Sequence, residues 1–339
     1  MRSEPTVTIL DDPEAMADAA AHLVVDAAAE AITVRGRFTL ALAGGRTPAT
    51  TYAKLAAPPY RDQVDWAHVW AFFGDERAVP PDHPESNYRM AHEALLSRVP
   101  IPRTQVWRIR GEAEDAEAAA AEYAKALAEA FGTRRGELPR LDLVLLGLGV
   151  DGHTASLFPG SPVLREVFRT VAAVHASAAA IPQRLTLTLP VLNAAARVAF
   201  LVAGAEKAKV LKTLLVERAL LPAALVSPEH GQLVWLVDRA SSRPRVSWSS
   251  VRTERLMVTC TDSTGSAAPS RWITRVPVNS CARSSADASP RSVRTSQLSA
   301  MGAILPQWSS RRLTPELGAA EGALGETFLS DALPPRALP

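Results

Sequence analysis

Residues 1–240 predict an α/β fold, a mostly parallel, doubly wound sheet with flanking helices. Short apolar and β-branched runs alternate with long alanine-rich, periodic segments, and such alternation implies crossover connections between parallel strands. The apolar runs are nearly continuous, the pattern of strands covered on both faces. Four of them empty into turns rich in Gly, Arg, Asp, His or Lys, at the carboxyl ends of strands where open α/β sheets bind ligands.

The first helix is expected over residues 13–34, with Asp12 as N-cap and Pro13 at the first helical position. A strand at 38–43 runs into Gly44-Gly45-Arg46-Thr47-Pro48, and one at 69–73 into Gly74-Asp75-Glu76-Arg77. A helix over 113–131 precedes a strand at 141–146, which runs into Gly147-Leu148-Gly149-Val150-Asp151-Gly152-His153. The strand at 198–203 ends in Gly204-Ala205-Glu206-Lys207, a helix follows over 206–217, and the last strand is 233–237.

Charge divides the chain. Residues 1–240 hold 25 Lys+Arg against 28 Asp+Glu, whereas 241–339 hold 12 against 7. Between 241 and 300 there are 15 serines and 9 arginines but 3 acids, with no sustained helical or strand period. Residues 241–339 are therefore expected to be a poorly ordered, non-homologous Ser/Arg/Pro-rich tail, outside the domain. The net charge of +2 over 339 residues argues against a nucleic-acid partner. No run reaches the roughly 18 apolar residues of a membrane helix, and Asp11, Asp12 and Glu14 precede any apolar core, unlike a signal peptide. A cytoplasmic protein that binds a small molecule, as a monomer or weak homo-oligomer, is the expectation.

The glycines before Arg46 and Thr47 suit an oxyanion, because glycine admits close backbone approach and the helix start offers N–H groups. Gly147-x-Gly149-x-x-Gly152 matches a dinucleotide fingerprint, but Pro159, Gly160 and Pro162 interrupt the helix it should open, so no nicotinamide cofactor is expected. His153, two residues after Asp151 at a strand end, is the candidate proton acceptor. His83 and Glu85 lack a third ligand at usable spacing, so no metal is expected. Arg77, Arg184 and Lys207 add cations near the same edge, and together with the glycine turn they suggest a small anionic substrate such as a sugar phosphate.

Five ordered motifs carry a resemblance spanning about residues 6–239. They are Ala43-Gly44-Gly45-Arg46-Thr47-Pro48; Phe72-Phe73-Gly74-Asp75-Glu76-Arg77-Ala78-Val79-Pro80 with Ser86-Asn87-Tyr88; the run from Leu146 through Asp151-Gly152-His153 to Gly160; Pro182-Gln183-Arg184-Leu185-Thr186; and Gly204-Ala205-Glu206-Lys207-Ala208. In these the chain resembles the 6-phosphogluconolactonases, on a Rossmann-like, sugar-phosphate isomerase-like fold. The resemblance implies hydrolysis of 6-phospho-D-glucono-1,5-lactone without cofactor or metal. It implies His153 as the general base activating water, with Asp151 and Asp75 positioning the histidine and the sugar hydroxyls. Gly44, Gly45, Arg46, Thr47, Arg77, Arg184 and Lys207 would hold the phosphate and the carbonyl's developing charge. The alternatives on this fold are a glucosamine-6-phosphate deaminase-like isomerase, which places a glutamate where this chain has Phe158, and a non-catalytic sugar-phosphate sensor, which would lack His153.

Overall fold

The computed structural model describes residues 4–177, 179–242 and, for the backbone, 258–260. Its strands are β1 Thr6–Leu10, β2 Phe38–Leu42, β3 Val69–Phe73, β4 Asp75–Arg77, β5 Leu143–Gly147, β6 Val171–His175, β7 Gln183–Leu187, β8 Arg197–Val202, β9 Gln232–Asp238 and β10 Val258–Cys260. Its helices are α1 Pro13–Arg35, α2 Arg46–Leu55, α3 Tyr60–Gln63, α4 Asn87–Ala91, α5 Ala116–Phe131, α6 Leu189–Ala194 and α7 Ala208–Leu215, joined by short single-turn helices. Seven strands form one sheet in the order β10-β1-β9-β8-β5-β2-β3, and every pair in it is parallel. The five strands expected from the apolar runs all lie in it, each within two residues of its expected ends.

The sequence explains the helices as well. The Asp12 carboxylate accepts from Ala15 N at 2.8 Å, Pro13 opens α1, and Gly36 closes it at φ 72°. Alanine on the inner face of α1 lets the helix lie close to the sheet: Met16 and Ala20 pack with Leu10, Leu201 and Leu236. The main core gathers Phe38, Leu40 and Leu42 of β2 with Phe72 and Phe73 of β3, residues 143–146 and most of β8, all essentially inaccessible to water. Phe200 and Trp235 stack across β8 and β9 with centroids 4.0 Å apart.

Three features depart from the expected elements. β1 pairs with β9 along its whole length, Thr6 beside Val234 and Leu10 beside Asp238, although Thr6 and Thr8 interrupt its apolar run and keep it from standing out. The Asp75-Glu76-Arg77 segment, expected as a turn, is instead a strand of a second, antiparallel sheet in the order β4-β7-β6. Its charged composition hides it, because the partner strand and not an apolar face fixes its conformation. Beyond residue 240, where no strand period is visible, β10 pairs parallel with β1, Val7 beside Val258 and Ile9 beside Cys260. Main-chain pairing to a sheet edge needs no side-chain pattern. The rest of the expected tail lies outside the described residues. Among the described residues no helix is long and apolar enough to cross a membrane.

Candidate active site

The strand order brings the exits of β8, β5, β2 and β3 side by side on the carboxyl edge of the sheet. At the exit of β2 the buried Tyr52 hydroxyl accepts from Ala43 N at 2.8 Å and donates to Ala43 O at 2.9 Å, which clamps the backbone just before the glycines. Tyr123 does the same one strand over, accepting from Phe73 N at 2.8 Å and donating to Phe73 O at 3.2 Å. Burial pushes both phenols far above their ordinary range, so they stay neutral and can donate. Gly44 must be glycine, since a Cβ there would sit 1.9 Å from Asn87 Oδ1. Gly45 turns the chain at φ 100° into α2, whose start has no side-chain cap. The first N–H groups, with Arg46 and Thr47, therefore remain open to an anion.

Next to this turn lies a buried polar corner. Glu76 accepts from four donors: Arg77 N at 2.8 Å, Ser86 Oγ at 3.0 Å, Asn87 N at 2.7 Å and Tyr88 N at 2.8 Å. Burial pushes its carboxyl up and these donors pull it back part of the way. The residue thereby fixes the start of α4, where Ser86 is the N-cap. Asp75 is equally enclosed: Oδ1 accepts from Asn87 Nδ2 at 3.1 Å and Oδ2 from Ser156 Oγ at 2.7 Å. Asp75 therefore reaches the His153 loop through Ser156, and no contact joins it to the histidine ring.

The turn after β5 presents the histidine. His153 Nδ1 lies 2.5 Å from Asp151 Oδ1, which also accepts from His153 N at 3.2 Å. Partial burial pushes the Asp151 carboxyl up, but the His153 N–H and imidazole outweigh it and hold the group below the usual aspartate value. An ionised carboxylate can only accept, so Nδ1 is the ring nitrogen that donates to it and Nε2 is the one left outside the pair. Gly149 makes room for this pair, because a Cβ there would lie 2.1 Å from His153 Nδ1 and 2.6 Å from Asp151 Oδ1. Thr154 Oγ1 donates to Gly147 O at 2.8 Å, and Ser156 N donates to Thr186 Oγ1 at 3.2 Å, which ties the loop to β5 and β7. After Gly147 the chain enters turns and no long helix, so the glycine spacing does not build a dinucleotide fingerprint.

Arg77 and Arg184 occupy directly opposed positions on β4 and β7. Like charges so placed repel and are destabilising without a counter-charge. Arg77 reaches Glu85 through its carbonyl oxygen and, at 3.8 Å, its carboxylate, while Arg77 Nε is buried without a partner among the described residues. Arg184 Nε donates to Ile181 O at 3.0 Å, and burial together with neighbouring Arg77 lowers its pKa. Asp75, Glu76 and Glu85 act against the lowering of Arg184 but do not cancel it. Lys207 lies in the turn after β8, with no ion-pair partner among the described residues. That turn is held by Asp238, whose carboxylate accepts from Gly204 N at 3.1 and 3.2 Å and from Ser241 N at 2.8 Å.

Side-chain contacts thus join His153 to Asp151 and the Asp75 corner to the His153 loop, and strand register sets Arg77 opposite Arg184. Arg46, Thr47 and Lys207 share the edge through strand order, with no contact to the histidine. Glu76, Asn87, Ser156, Tyr52, Tyr123 and Asp238 are structural contributors that sequence reasoning did not assign. Ser156 and Asn87 stand inside the recognised motifs, but nothing in one sequence shows what they touch. His83 Nδ1 accepts from Glu85 N at 3.1 Å within a loop, and among the described residues no cluster of three or more His, Cys, Asp or Glu could hold a metal.

Comparison with known proteins meets this geometry. The chain is 43% identical over 241 residues to the 6-phosphogluconolactonase of Homo sapiens, covering 70% of this chain and 92% of that one. It is 40% identical over 238 residues to the 6-phosphogluconolactonase of a Synechocystis strain, covering 69% and 96%. The solved 6-phosphogluconolactonase from Trypanosoma cruzi superposes with a TM-score of 0.66 at 30% identity, over 73% of this chain and 98% of that one. The family profile described as glucosamine-6-phosphate isomerases/6-phosphogluconolactonase matches residues 11–235, and the chain belongs to that family.

Proposed function

We propose that the chain hydrolyses 6-phospho-D-glucono-1,5-lactone to 6-phospho-D-gluconate, a step of the pentose phosphate pathway. The observation that carries this reading is the His153–Asp151 pair, which stands on an edge lined by cations. In the proposed reaction His153 Nε2 takes a proton from a water as the water oxygen bonds to the lactone carbonyl carbon. The carbonyl electrons move onto oxygen, where Arg and Lys side chains and open N–H groups offset the charge. Collapse of the tetrahedral intermediate breaks the ring C–O bond, and the imidazolium returns its proton to the departing ring oxygen. Asp151 holds the imidazolium in place throughout. Phe158, five residues after His153, has no ionisable group, which favours hydrolysis over the ring-opening chemistry of an isomerase.

Arg46, Arg77, Arg184 and Lys207, with the Gly44-Gly45 turn and Thr47, are assigned to the phosphate and the developing oxyanion. The catalytic residues are assigned to a domain of residues 1–240, which holds every site residue, while the sheet gains β10 as a further edge strand. The cytoplasmic setting and the monomeric or weakly associated state belong to the same reading. Its test is an assay of the full chain, and of a chain ending at Ser242, on freshly generated phosphorylated and unphosphorylated lactones. Both chains should prefer the phosphorylated lactone by at least about 10-fold, the scale of one lost charged contact. Equal efficiency on the two lactones would sink the sugar-phosphate assignment, and an inactive shortened chain would sink the domain boundary.

A further inference from the structure

Phe158 touches both halves of the site. Its ring packs on the His153 imidazole with centroids 4.5 Å apart and planes tilted by 33°. On the same ring rests the Arg184 guanidinium, 5.5 Å from the centroid. The chain thus forms a continuous stack of Asp151, His153, Phe158 and Arg184, in which an acid fixes one side of the imidazole and an aromatic face fixes the other. His153 is about one-third exposed, so without the ring its orientation would rest on the single Asp151 contact. Arg184 is turned by one hydrogen bond to Ile181 O and faces repulsion from Arg77. A ring face is an attractive place for such a guanidinium, and it demands no ionic partner that would compete with an anionic substrate.

We propose that Phe158 is a positioning residue that sets the orientation of the general base and the anion-binding arginine together. The proposal rests on the lactonase reading above and adds a dependence of both groups on one aromatic ring. It makes a specific division of labour: the ring itself transfers no proton and carries no charge, yet its loss reaches turnover through His153 and substrate affinity through Arg184.

The experiment compares Phe158→Leu and Phe158→Tyr with the unaltered full chain. Steady-state kinetics on the phosphorylated lactone are paired with nitrogen NMR of the His153 ring recorded without substrate. Phe158→Leu keeps apolar bulk but removes the aromatic face. It should cut kcat/KM by about 10-fold, split between a lower kcat and a higher KM, as expected for losing one aromatic and one cation–π contact. Its His153 ring signals should shift and broaden, as for an imidazole no longer held in one orientation. Phe158→Tyr should restore the kinetics and the ring signals, with melting temperatures of all three chains close together. Unchanged kinetics or unchanged ring signals in Phe158→Leu would overturn the proposal, as would a loss that Phe158→Tyr fails to rescue. Should the unaltered chain leave the lactone intact, the functional reading fails, while the NMR comparison still decides the role of the ring.

Discussion

The corner built from β4, the start of α4 and Ser156 differs sharply from the turn that carries His153. In the corner Asp75, Glu76, Asn87 and Ser156 are all buried, and their carboxylates are filled by donors from this chain. In the turn His153 and Asp151 are partly open to solvent, and Nε2 has no hydrogen-bond partner among the described residues. Both regions are polar, and both contribute a carboxylate, Asp75 or Asp151, that the sequence marks as a candidate site residue. The contacts separate them: in the corner both carboxylates are engaged by donors of this chain and only Asn87 Oδ1 is left unpartnered among the described residues, whereas the turn holds its histidine partly open to solvent. Polar residues near a strand end thus divide into a frame that is paid for once in folding and a tool that stays available.

The two regions should break differently. Glu76→Ala strands four donors in the buried corner, and at about 1–3 kcal/mol for each unsatisfied group the loss should reach roughly 4 kcal/mol or more. Chemical denaturation is expected to show a lower midpoint, with any fall in activity tracking the folded fraction. A stable but inactive Glu76→Ala protein would move Glu76 out of the frame and into the chemistry. Gly149→Ala tests the open turn with no functional group removed. The added methyl must push into the His153–Asp151 pair, and kcat should fall by about 10-fold or more through misplacement of the base, while the melting temperature shifts little. Unaltered kcat in this variant would show that the pair is not held as described.

The smallest effect is expected outside both regions. Arg108 clamps Glu112 through two contacts of 2.6 and 2.8 Å and holds its carboxyl at about 2. Because the folded pKa lies below the unfolded one, the stabilisation is complete above pH 4.5 and drains away as pH falls toward 2. The pair is about 30% exposed on both sides, so it is worth less than about 1 kcal/mol. Glu112→Gln should therefore lower stability slightly near neutrality and flatten the acid limb of the melting curve. A steeper acid limb in that variant would contradict the sign.

Much of the fold was legible in the sequence because hydrophobic burial writes a local pattern. The runs at β2, β3, β5, β8 and β9 are apolar on both faces, and Asp12-Pro13 marks the start of α1 by side-chain chemistry alone. The second sheet was not legible, since β4 is held by its pairing with β7, a partner more than 100 residues away. The same holds for the site. His153 and Asp151 stand two residues apart, so their pairing follows from spacing. Asp75 and Ser156 meet only after β4 and the β5 turn are folded together, so the link from Asp75 to the histidine loop has no signal in the sequence. Tyr52 and Tyr123 left no signal because a tyrosine in a helix is ordinarily packing, and the backbone groups they clamp are invisible in side-chain patterns.

The central claim is that the open turn performs the chemistry within a frame that does not depend on it. The most direct test is His153→Ala, assayed on the phosphorylated lactone with spontaneous hydrolysis subtracted, alongside its thermal unfolding. The variant should lose on the order of 10²-fold or more in kcat, the usual contribution of a general base, while its melting temperature stays near that of the unaltered chain. Near-normal turnover in a folded His153→Ala protein would contradict the assignment, and so would a loss of activity explained entirely by unfolding.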